Sequence, residues 1–181
     1  IAVHTLKDGS TREVVPADDL VIHTTGGHQW SPDGTTYLLN GASATHKSAT
    51  FAIDLRTGEL RTLVTFTNAY AQMPQWLNAG RSLLYVVRDQ LKAGARVVVH
   101  EIEGGAEREV LHGFESMPGA GFLASPDERT LAFVVGSADS PPDAIRLMPL
   151  SGGSSRRLLD FVWIGFAVLG LSLWMLAAQR K

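Results

Sequence analysis

A short turn motif returns three times along this chain at nearly constant spacing. Trp30-Ser-Pro-Asp-Gly34, Trp76-Leu-Asn-Ala-Gly80 and Ala124-Ser-Pro-Asp-Glu128 begin 46 and 48 residues apart. A turn recurring at a fixed period marks a repeat architecture, in which each unit is one supersecondary element stacked on the next. The motif has a mechanism. Pro32 and Pro126 preset φ at the first central position, Asp33 and Asp127 can accept bonds from nearby backbone, and Gly34 tolerates positive φ.

Each turn leads into a run of strand character: Tyr37-Leu-Leu39, Leu83-Leu-Tyr-Val-Val87 and Leu131-Ala-Phe-Val-Val135. A second pair of strands then closes each unit across a glycine connector. In the first unit, alternating Thr50 to Leu55 runs through Arg56-Thr-Gly-Glu59 into Leu60-Arg-Thr-Leu-Val64. Val97 to Ile102 and Ile145 to Leu150 open the corresponding pairs further along, and Ile1 to Leu6 opens a partial copy. Gly9, Gly58, Gly105 and Gly153 sit in the four connectors, 49, 47 and 48 residues apart, where a hairpin needs positive φ. The pattern predicts an all-β partial propeller of about three and a half four-stranded blades. The boundaries fall at 1–16 (half a blade), 17–65, 66–112 and 113–160. A β-sandwich also has many short strands, but it does not repeat its turn at a fixed period.

Trp30-Ser-Pro-Asp-Gly34, together with Ile53-Asp-Leu-Arg-Thr-Gly-Glu-Leu-Arg-Thr-Leu63, resembles the TolB-type, WD-like propeller repeat of bacterial proteins over residues 1–160. The second unit departs from it with Leu77-Asn-Ala79, and the third with Ala124 and Glu128. The resemblance implies a non-catalytic scaffold that binds a protein or a cell-envelope ligand, on the periplasmic or extracytoplasmic side. It also implies an alternative, because similar propellers accompany prolyl-oligopeptidase-like peptidases and some bacterial serine/threonine kinases as accessory or sensor domains.

The chain starts at Ile1, inside a blade, and three and a half blades are fewer than propellers usually close with. Both features predict a C-terminal piece of a longer protein. With 16 basic and 18 acidic residues intermixed, nothing supports a nucleic-acid surface. Cysteine is absent, which excludes disulfides and thiolate metal sites. After Asp160 the pattern breaks into residues 161–178, uncharged throughout, followed by Gln179-Arg180-Lys181. As a helix this run measures about 27 Å, close to the ~30 Å hydrocarbon core, with Trp163 and Trp174 toward its ends. It predicts a transmembrane helix with a basic tail over 161–181, anchoring the propeller to a membrane, with a buried helix as the alternative reading of the same run.

No Gly-x-Ser-x-Gly elbow or phosphate-binding loop occurs, so no catalytic, cofactor-binding or metal residue is assigned and no cofactor is expected. The six histidines, His4, His23, His28, His46, His100 and His112, are scattered. His23 and His28 near Asp33 are the nearest approach to a metal set, but strand and loop histidines are commoner than ligands. Asp18-Asp19 and Asp139 with Asp143 read as solvated loop carboxylates rather than acid–base pairs. Trp30 and Trp76, at the same repeat position, read as blade packing rather than as stacking platforms.

Overall fold

The computed structural model describes residues 1–15, 20–24, 29–45, 48–91, 94–114, 121–135 and 144–160. Among these residues regular structure is all β, apart from one 3-10 turn at Asn78–Gly80. The strands β1 (Ala2–His4) and β2 (Thr11–Glu13) form a two-stranded sheet. A first four-stranded sheet holds β3 (Val21–Thr24), β4 (Thr36–Ala42), β5 (Ala49–Asp54) and β6 (Leu60–Thr65). A second holds β7 (Ala69–Leu77), β8 (Ser82–Asp89), β9 (Ala95–Glu101) and β10 (Glu107–Phe114). The third holds β11 (Phe122–Ala124), β12 (Thr130–Val135), β13 (Ala144–Pro149) and β14 (Arg156–Asp160). Every sheet is an antiparallel meander in chain order, the topology of a propeller blade. Among the described residues no helix is long and apolar enough to cross a membrane, and the span expected at 161–178 lies outside them.

The sheets share one register. Tyr37 faces Ile53, Leu83 faces His100 and Leu131 faces Met148 across the second and third strands. Ala52 faces Arg61, Val99 faces Arg108 and Leu147 faces Arg156 across the third and fourth, as Val3 faces Arg12 in the short sheet. The turns that set this register are built as their sequence suggests. Ser31 N–H donates to Thr36 O at 2.8 Å, and Ser125 N–H donates to Thr130 O at 2.8 Å. Glu128 adopts φ 56°, the left-handed conformation that Gly34 holds at 71°, so the altered third motif still makes the same turn. The second turn places Asn78 and Ala79, both at φ 53°, ahead of Gly80 at 90°.

The chain divides into two compact units, Ile1–Phe114 and Glu115–Lys181. In the first, apolar clusters fill the spaces between consecutive sheets. Leu39, Phe51 and Ile53 pack with Val14, Ile1 and Val3 of the short sheet. From the opposite face, Leu38, Ala52 and Val64 pack with Leu83, Tyr85 and Val98 of the second sheet. Adjacent residues on β4 thus serve different interfaces, each fully buried side chain worth roughly 1.5–3 kcal/mol. The alternation along β5 predicts a half-buried strand, yet Ala49 to Ile53 are all buried, because apolar packing covers both faces of this sheet. Close approach requires Gly41: a Cβ there would lie 2.2 Å from the Val21 carbonyl oxygen, beside the irregular pairing of β3 with β4.

In the second unit Leu131, Phe133, Ala144 and Met148 are buried. Ala132, Val134, Ile145 and Leu147, on the other face, remain half-buried.

Candidate functional site

The first repeat turn and its surroundings form a compact polar and aromatic cluster. Ser31 Oγ donates to Asp33 Oδ1 at 2.6 Å, and Thr35 donates through both N–H and Oγ1, at 3.0 and 2.8 Å. These donors hold the Asp33 carboxyl below the usual carboxylate range, the Ser31 hydroxyl contributing most. The third turn repeats this with Ser125 Oγ donating to Asp127 and Arg129 N–H following, and Asp127 is lowered in the same way. Through Oδ1, Asp33 closes the repeat turn.

The two repeat tryptophans have separated roles. Trp76 is half-buried and packs against the cluster between the first two sheets, as blade packing predicts. Trp30 is 52% exposed and stands edge-on to Tyr37, with ring centroids 5.6 Å apart. It has left the packing position because Gln29 occupies the interior beside it. The Gln29 side chain is buried and accepts the Tyr37 hydroxyl, while its backbone carbonyl accepts the Trp76 indole N–H at 3.1 Å.

A second polar group lies between the first two sheets. His100 is buried at the position of Ile53 and Met148, and its Nδ1 is 3.4 Å from Glu107 Oε1. That is ion-pair range, but the geometry makes no hydrogen bond and leaves Nδ1 unpaired. Tyr85 OH donates to the same carboxylate at 2.8 Å, and burial first, then this bond, pushes the Tyr85 hydroxyl above the usual tyrosine range. The fully buried Tyr85 ring packs in the core while its hydroxyl bonds the exposed carboxylate of Glu107.

A cleft of about 350 Å³ opens on the third sheet, lined by Arg129, Thr130, Leu147, Pro149, Ser155 and Arg156 among others. Sequence reasoning missed it, because neither arginine belongs to a recognisable motif.

The remaining candidates stay apart or lie outside the described residues. His23 is exposed on β3, His4 Nδ1 lies 2.9 Å from Thr11 Oγ1, and exposed His112 lies 3.1 Å from Glu109. His28, His46, Asp18, Asp19, Asp139 and Asp143 fall outside the described residues. Among the described residues no group of three or more His, Asp or Glu could hold a metal ion.

No family model matches the sequence. No curated protein matches it either. Solved structures do. A putative TolB from Agrobacterium tumefaciens is 25% identical with a TM-score of 0.62, covering 84% of this chain and 52% of its own. TolB from Acinetobacter baumannii is 14% identical with a TM-score of 0.60, covering 88% and 37%. A chain of a nidogen/laminin complex is 17% identical with a TM-score of 0.57, covering 86% and 54%. The chain thus resembles a segment of a TolB-type propeller and spans about half, or less, of the length of each of these structures.

Proposed function

We propose that this chain is part of a non-catalytic propeller scaffold that binds a protein partner at the bacterial cell envelope. The observation that carries the reading is the likeness to TolB structures over more than four-fifths of the chain. The site chemistry agrees with it: the shifted carboxyls each take turn donors on Oδ1, and the shifted tyrosine is buried in packing. Rigid meander sheets that present loops and sheet faces suit recognition better than turnover. Anchoring by residues 161–178, with the propeller on the extracytoplasmic side, completes the reading; it rests on the apolar, uncharged run alone.

Two experiments test it. Photo-crosslinking from Trp30 and from the third sheet in bacterial envelopes is expected to trap a discrete protein partner, and trapping none overturns the scaffold reading. Carbonate extraction of membranes bearing the chain is expected to leave it in the pellet, and release into the supernatant overturns the anchor.

A further inference from the structure

We draw no further inference here: the strongest candidate, the exposed Trp30 edge-on to Tyr37 beside the buried Gln29 on one face of the first sheet, stands where its repeat equivalent Trp76 packs on the preceding sheet, and nothing in the structure shows what covers it.

Discussion

The indole N–H of Trp76 donates to the Gln29 carbonyl oxygen at 3.1 Å, joining β7 to the residues that precede the first repeat turn, 47 positions earlier. The bond ties the second sheet to the first at their turn ends. There Pro32 Cδ lies 3.9 Å from where a Cβ on Gly80 would be. Replacing Trp76 with Phe keeps most of the apolar contact and removes the donor. The expected cost is about 1 kcal/mol, from the net value of one hydrogen bond and a carbonyl left under-satisfied. Urea unfolding checks it: a midpoint unchanged from the parent chain would show that the bond does not couple the sheets.

Gly41 makes a second, sharper prediction. A methyl group added there meets backbone, the Val21 carbonyl oxygen, rather than a side chain that could swing away. Gly41→Ala must therefore displace β3 from β4, at an expected cost of about 1–3 kcal/mol. Hydrogen exchange should locate the damage, with protection falling first at Val21 and Ile22. Parent-like exchange at both positions would mean that β3 is not held against Gly41.

How far the sequence discloses this molecule depends on the scale of the feature. The repeat register is legible because Ser, Pro and Asp at fixed offsets make one turn, and Glu128 enters the left-handed region once Ser125 and Asp127 have closed that turn. The face a residue serves is less legible. Leu38 and Leu39 read as one apolar run, yet each packs on a different neighbouring sheet. Trp30 and Trp76 are equivalent by position but not by environment, since Gln29, a polar residue with no motif, fills the interior beside Trp30. The cleft is hidden for another reason. Its lining comes from Arg129 and Thr130, from Leu147 to Pro149 and from Ser154 to Arg156, segments that meet only when β12, β13 and β14 are set in register.

The turn carboxylates predict the acid response. Asp33 and Asp127 have folded-state values below the unfolded value of 3.8, so each contributes stability above that pH. The contribution fades as pH falls below about 4 and is gone once the lowered folded value is passed. The chain should therefore lose stability from about pH 4 downward. Asp33→Asn and Asp127→Asn should be less stable at neutral pH and show a flatter acid limb in thermal unfolding. An acid limb identical to the parent's would assign acid sensitivity to other carboxyls.

His100 is a core position where the chain differs from its own repeats. Its register equivalents Ile53 and Met148 are apolar and almost fully buried, whereas His100 buries an Nδ1 that makes no hydrogen bond. An unmade bond in the interior costs more than the same volume filled with carbon and sulfur. Methionine matches the shape closely enough to keep the contact with Tyr85, whose ring lies 6.2 Å from the imidazole. His100→Met is expected to stabilise the chain by about 1 kcal/mol. Tyr85 supplies the companion measurement. Its hydroxyl is held above the usual tyrosine range, so the proton it keeps stabilises the fold below about pH 10 and the benefit is lost as pH rises beyond that. Tyr85→Phe should therefore blunt the alkaline loss of stability, while His100→Met preserves it. If His100→Met instead destabilises the chain at neutral pH and Tyr85→Phe does so equally, the polar group holds the two sheets together and the imidazole is a working part of it.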